Sequence, residues 1–174
     1  RTIKLTKELW IEKADFMEEP KEKYFRLFPG NQVRLRYGYV VICTGCEKDK
    51  DGNVIKVLCD YLPDTKSGTP GSDLVKVKGN IHWISTKHAL DAEASLYDRL
   101  FKSEQPGLES ENYLDDINPE SIRKIKIKLE ESLLNIKPND QYQFERHGYF
   151  ICDQESTSDY LKINRTVTLR DTWK

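Results

Sequence analysis

Short alternating runs dominate the chain. Across Gln32–Cys43 the apolar positions Val33, Leu35, Tyr37 and Tyr39 alternate with Gln32, Arg34 and Arg36, and Val40–Cys43 is then continuously apolar. A period of two sends one set of side chains to a buried face and the other to solvent. Val54–Tyr61 follows the turn-forming stretch Asp49–Gly52, so Tyr39–Cys43 and Val54–Tyr61 are predicted to pair as a hairpin. Further strands are expected within Thr2–Ile11, Leu74–Ser85, Ile122–Glu131, Gln141–Cys152 and Tyr160–Trp173. His88–Phe101 fits an amphipathic helix. Its second half also fits a strand, which is preferred there because Ala92, Ala94, Leu96 and Asp98 share one face. Helical patches are expected in Lys13–Phe28, interrupted by Pro20, and in Glu130–Lys137, stopped by Pro138. Ser103–Ser121 is rich in turn formers and reads as a loop.

Many short strands and few helices point to small β-barrels. Two stretches of the chain also echo one another. "PGNQVRLRYGYVVIC" (Pro29–Cys43) and "NDQYQFERHGYFICD" (Asn139–Asp153) share turn residues, a polar strand, an aromatic, Gly-Tyr step and a terminal cysteine. Matching "RYGYV" (Arg36–Val40) to "RHGYF" (Arg146–Phe150) superposes Arg, Gly and Tyr. "KELWIE" (Lys7–Glu12) similarly echoes "NIHWIS" (Asn80–Ser85). A duplication of one barrel accounts for both echoes, and so does chance likeness between short β segments.

Composition narrows the chemistry. With 174 residues, 33% charged and a formal net charge of −1, the chain has no bulk attraction for a polyanion. Nucleic acid would have to meet a local basic patch. No run approaches the length of about 20 apolar residues that a membrane span requires, and no signal peptide is visible. The first residue is Arg1, which points to a start inside a longer protein. The four cysteines, Cys43, Cys46, Cys59 and Cys152, are expected to be reduced thiols in a cytoplasmic protein. Cys43 and Cys46 have CxxC spacing and Cys59 lies across the predicted hairpin, so a zinc site completed by His82 or Cys152 is one reading. The competing one is that cysteine on an apolar strand is a small hydrophobe, and a second paired element is missing.

No nucleophile motif, phosphate-binding loop or dinucleotide fingerprint occurs, so nothing in the chain signals catalysis. The informative feature is cationic and planar chemistry on strands. Lys21, Lys23, Arg26, Arg34 and Arg36 are interleaved with Tyr24, Phe25 and Phe28, and the second echo offers Tyr142, Gln143, Arg146 and His147. Aromatic and guanidinium planes stack on unpaired bases, while Arg and Gln match base edges. Plain solvated surface is the competing reading of the same residues.

Six motifs in order, "VRLRYGYV", "VKGNIHWIS", "LYDRLF", "INPES", "QFERHGYF" and "NRTVTLRDTW", give the whole chain a specific likeness. It resembles the C-terminal anticodon-binding region of the glutaminyl-tRNA synthetase family, class I aminoacyl-tRNA synthetases. The resemblance implies a mainly all-β fold of two six-stranded β-barrels like that of ribosomal protein L25, with short helices and long loops. The division expected is a proximal barrel of residues 1–45 and 150–174, incomplete at its N-terminus, and a distal barrel of residues 46–149. The resemblance places Arg26 on the third anticodon base, Arg34 on the first, and Gln143 with Arg146 on the middle uracil; Arg36 is implied as a phosphate or loop contact. Two departures stand out. Phe25 occupies the position where the family often has a phosphate-contacting lysine, and an arginine and an asparagine of the family's pocket lie upstream of Arg1. A truncated fragment with weakened RNA affinity is therefore expected.

By the same resemblance, the parent enzyme joins glutamine to tRNA(Gln) using ATP and Mg2+. This chain would bind neither cofactor, hold no metal and carry no catalytic residue. Its expected partners are the tRNA(Gln) anticodon loop and the catalytic domain of the same polypeptide, with no membrane and as a monomer. Alternatives are the corresponding region of an archaeal or eukaryotic-type glutamyl-tRNA synthetase, a β-module that docks a protein partner, and a small zinc-bound β-domain.

Overall fold

The computed structural model describes residues 1–108 and 112–169. The chain forms two compact units, one of Lys4–Lys87 and one of Arg1–Ile3 with the chain from His88 onward. Strands build both, and helical structure among the described residues is confined to short 3-10 turns. No described helix is long and apolar enough to cross a membrane.

The Lys4–Lys87 unit contains β1 (Leu9–Trp10), β2 (Gln32–Leu35), β3 (Val40–Lys48), β4 (Val54–Tyr61), β5 (Gly79–Ile81) and β6 (Ile84–Ser85). β4, β3, β2 and β5 form a four-stranded sheet in that order, and β1 pairs with β6. The expected hairpin is present, with β3 longer than foreseen and Cys43 directly opposite Cys59. Its turn is closed by Asp49, whose Oδ1 accepts from the amides of Asp51 and Asn53 at 3.0 and 2.8 Å. Alternation delivers Val33 and Leu35 to a core shared with Leu27, Val41, Cys43 and Ile81.

The second unit contains β7 (Leu90–Tyr97), β8 (Ile122–Leu129), β9 (Gln141–Phe144), β10 (Gly148–Cys152) and β11 (Leu161–Val167), arranged β8-β7-β11-β10-β9. β11 runs parallel to β7 and antiparallel to β10. Ala92, Ala94, Leu129, Leu133, Phe150, Leu161 and Ile163 form its core. The ambiguous His88–Phe101 stretch is a strand through Leu90–Tyr97, hydrogen-bonded on both sides. That two-sided ladder supplies what helical periodicity alone could not outweigh.

Several expectations change. The expected helix in Lys13–Phe28 is only a 3-10 turn at Lys13–Asp15. Beyond it the backbone pairs with itself, Leu27 N–H donating to the Asp15 carbonyl at 2.9 Å and Met17 N–H to the Leu27 carbonyl at 3.0 Å. The segment before Pro138 is likewise a 3-10 turn, Glu131–Leu133. In Leu74–Ser85 and Thr2–Ile11 the regular strand shrinks to β5, β6 and β1. The fold class is all-β as expected, yet the sheets among the described residues are open and not closed six-stranded barrels. At one edge of each sheet the strand is short, β5 with three residues and β9 with four, while the other edges, β4 and β8, have eight each.

The division also falls elsewhere. A cut at 45/46 would sever β3 and one at 149/150 would sever β10, each a continuous hydrogen-bonded strand; the boundary lies instead at 87/88. The "KELWIE" and "NIHWIS" echo does not relate the two units: both segments belong to the Lys4–Lys87 unit, where Trp10 pairs with Ile84. Arg170–Trp173 lies outside the described residues.

Gly79 permits a close approach. A Cβ there would collide with the Phe25 carbonyl oxygen and come within 2.7 Å of Val33 Cγ1. Gly79→Ala is expected to cost about 1–3 kcal/mol of stability, as overpacking does, measured by urea unfolding. Cys59 supplies a second test. The residue itself is exposed, yet desolvation of its sulfur against the sheet, reinforced by the Cys43 thiol directly opposite, pushes its pKa up to about 12. Its alkylation by iodoacetamide at pH 8 is expected to be far slower than that of a free thiol of ordinary pKa, about 8.5, as followed by mass spectrometry.

Candidate nucleic-acid interface

The echo between the two units is a repeated hydrogen-bond pattern. In the Lys4–Lys87 unit the turn Phe28-Pro29-Gly30-Asn31 is closed by Asn31 N–H donating to the Phe28 carbonyl at 2.9 Å, with Gly30 at φ +85°. In the other unit Lys137-Pro138-Asn139-Asp140 is closed by Asp140 N–H donating to the Lys137 carbonyl at 3.0 Å, with Asn139 at φ +73°. Proline second and a left-handed residue third is the requirement of a type II turn, and Gly and Asn tolerate that third position best. Each turn then locks onto the end of the following hairpin. Gly30 N–H donates to the Cys43 carbonyl and Cys43 N–H returns to Asn31 at 2.8 and 3.0 Å; Asn139 and Asp140 bond Cys152 in the same way at 3.0 and 2.8 Å.

The hairpins match in turn. Arg34 pairs with Val40 across β2–β3, and Gln143 pairs with Tyr149 across β9–β10. The tips are closed by Gly38 N–H to the Leu35 carbonyl and by His147 N–H to the Phe144 carbonyl, at 2.7 and 3.0 Å. Their third residues, Tyr37 and Arg146, are both left-handed, at φ +60° and +71°. Arg34 is therefore the counterpart of Gln143, and Tyr37 of Arg146. The sequence echo, which aligned Arg36 with Arg146, is one residue out of step with the backbone.

The structure distributes the predicted residues over both units. Arg26, Arg34 and Arg36 belong to the Lys4–Lys87 unit, Gln143 and Arg146 to the other. Arg26 is held from two sides: Nε lies 3.3 Å from the fully buried Asp15 carboxylate, and Nη1 donates to the Asn80 carbonyl at 2.5 Å. Arg34 is a clamp. Its Nη1 donates to the Thr65 carbonyl at 2.5 Å and its Nη2 to the Ser72 carbonyl at 2.7 Å, tying the loop after β4 to β2. Arg36 rests its guanidinium over the Tyr37 ring, 5.0 Å from the centroid. Gln143 is exposed on the edge strand β9, opposite the exposed Tyr149, and Arg146 is exposed at the tip of the same hairpin.

Sequence reasoning missed three supporting residues. Asp15 sits in a charge-rich stretch with no sign that it would be buried. Trp83 donates its indole N–H to the Arg36 carbonyl at 2.9 Å. Lys78 holds its ammonium 5.1 Å from the centroid of Phe25, returning a cation to the place of the departure noted at that position. Trp83 and Lys78 both lie in the quoted "VKGNIHWIS", while nothing in the sequence marked Asp15.

Two family models, each described as an anticodon-binding domain of class I tRNA synthetases (E and Q), match residues 1–62 and 80–153. Together they span well over half of the chain. The chain is 57% identical to a glutamine–tRNA ligase of Ralstonia nicotianae and 58% identical to one of Cupriavidus metallidurans, over 99% of this chain and 30% of each relative. It is 53% identical to a glutamine–tRNA ligase of Bordetella pertussis over its full length, again 30% of the relative. The chain thus spans about a third of the length of the relatives it matches. The likeness runs through both repeated hairpins, and the chain belongs to the anticodon-binding domain family of the class I (E and Q) tRNA synthetases.

Proposed function

We propose that this chain is the part of a cytoplasmic glutamine–tRNA ligase that recognises the anticodon loop of tRNA(Gln). The observation that carries the reading is the β9–β10 hairpin at the edge of the sheet, on which Gln143 and Arg146 are exposed. A uracil offers N3–H between two carbonyl oxygens. The Gln143 amide accepts from N3–H and donates to one carbonyl, and Arg146 donates to the other. Arg26, its plane set by Asp15 and Asn80, serves the third base, where a guanidinium fork suits guanine O6 and N7. Arg34 serves the first base from the position in which it also holds the loop after β4. Arg36 contacts phosphate or the loop backbone.

The parent enzyme in this reading joins glutamine to tRNA(Gln) at the expense of ATP with Mg2+. Those groups belong to its catalytic domain, and this chain contributes recognition as part of a monomeric polypeptide. The family description covers glutamate enzymes as well as glutamine ones. Binding measured with tRNA(Gln) and tRNA(Glu) separates the two.

The test is binding to an anticodon stem-loop of tRNA(Gln), compared at one salt concentration with a loop whose middle uracil is replaced. Gln143→Ala or Arg146→Ala is expected to cost about 1–3 kcal/mol on the cognate loop and little on the altered one. Equal losses on both loops would replace base readout with phosphate contact. Arg34→Lys removes the fork that spans Thr65 and Ser72. It is expected to lower stability by about 1.5–3 kcal/mol, and to speed hydrogen exchange in residues 65–75 while Gln143→Ala leaves that exchange unchanged.

A further inference from the structure

Tyr37 stands where an aromatic residue is out of place. Its φ of +60° lies in the left-handed region, which glycine and asparagine enter readily and bulky side chains enter at a cost. It is also 56% exposed, so no core packing repays that cost. Such backbone persists only where its surroundings over-determine it, and here they do. Arg36 N–H donates to the Ile81 carbonyl at 2.9 Å, the Trp83 indole donates to the Arg36 carbonyl at 2.9 Å, and Gly38 N–H closes the turn onto Leu35 at 2.7 Å. The tip is built to display its third residue.

What is displayed is a flat ring with a cation on it. The Arg36 guanidinium lies 5.0 Å from the Tyr37 centroid, and its Nη2 reaches the Tyr37 hydroxyl at 3.3 Å. The backbone match makes Tyr37 the counterpart of Arg146, as Arg34 is of Gln143. Each hairpin thus carries a planar group at its left-handed tip, three residues beyond a polar strand position that faces away from the core.

We propose that Tyr37, backed by Arg36, is a stacking platform for an unpaired base of the bound RNA loop. This rests on the anticodon-loop reading above and extends it to a residue that reading does not use. Stacking is blind to base identity, because every base has a π-face. Tyr37 therefore supplies affinity and loop geometry, while Gln143 and Arg146 supply discrimination. The guanidinium on the ring adds attraction for the adjoining phosphate.

The backbone provides a clean variant. Tyr37→Gly removes the ring and relieves the strain together, so the folded chain is expected to keep or raise its melting temperature. Against the cognate anticodon stem-loop it is expected to bind about tenfold more weakly, by the usual worth of one base–aromatic stack. The loss should be equal on the loop with the replaced middle base. In loops carrying 2-aminopurine at each unpaired position in turn, one position is quenched by the native chain and by Tyr37→Phe, and is not quenched by Tyr37→Gly. Native affinity in Tyr37→Gly overturns the platform and leaves the anticodon reading standing. Weaker binding with a lowered melting temperature overturns it in favour of a structural ring. Tyr37→Phe as weak as Tyr37→Gly overturns stacking in favour of the hydroxyl. Failure of the native chain to bind any anticodon stem-loop overturns both readings.

Discussion

Hairpin register is the constraint on which the rest depends. A strand slipped by one residue turns every side chain to the opposite face. In this protein each hairpin is pinned at both ends, by a Pro-containing turn that bonds to the backbone of Cys43 or Cys152, and by a tip whose third residue is left-handed. With both ends fixed, Val33 and Leu35 can only point inward and Arg34 can only point to the other side. The same holds for Phe150 and Cys152, which are buried, against Gln143 and Tyr149, which are exposed. Which polar side chains face away from the core is a consequence of strand parity before it is a matter of individual contacts.

The two units use that parity differently. In the Lys4–Lys87 unit the arginines are tethered: Arg26 to a buried carboxylate, Arg34 to two loop carbonyls, Arg36 to an aromatic ring. Tethering spends part of each guanidinium's donor capacity and returns a fixed plane, which lowers the entropy lost when a partner arrives. In the other unit Gln143 lies open on an edge strand. A surface of near-neutral net charge cannot draw RNA by its overall field. On the proposed anticodon reading that work falls to the placement of a few forks, amides and rings, and hydrogen-bonded turns fix that placement.

Much of this was legible in the sequence. Strand periodicity gave the β3–β4 hairpin and the all-β class, and turn residues gave the ends of both echoes. Arg34, Arg36, Gln143 and Arg146 stood out as cationic and amide side chains among aromatic ones, and their base assignments came from the family resemblance. Less was legible where a long-range partner decides. Leu90–Tyr97 became a strand because β8 and β11 flank it on both sides. Lys13–Phe28 lost its helix because its ends bond each other. The unit boundary follows the strand ladders, at a different place from the division that the family resemblance implied.

The sequence by itself determined that the chain is β-built, with arginine and glutamine on the polar side of short strands, and it left open whether its two similar stretches are a true repeat. Those properties are local, set by side-chain period and by which residues accept a left-handed turn. Only the tertiary structure decided that Asp15 is buried beneath Arg26, that Arg34 grips a loop some thirty residues away (Thr65 and Ser72), and that Tyr37, not Arg36, is the counterpart of Arg146. Each of these depends on contacts between segments distant in the chain, and a one-residue register shift leaves the letters alike while moving every side chain to the other face.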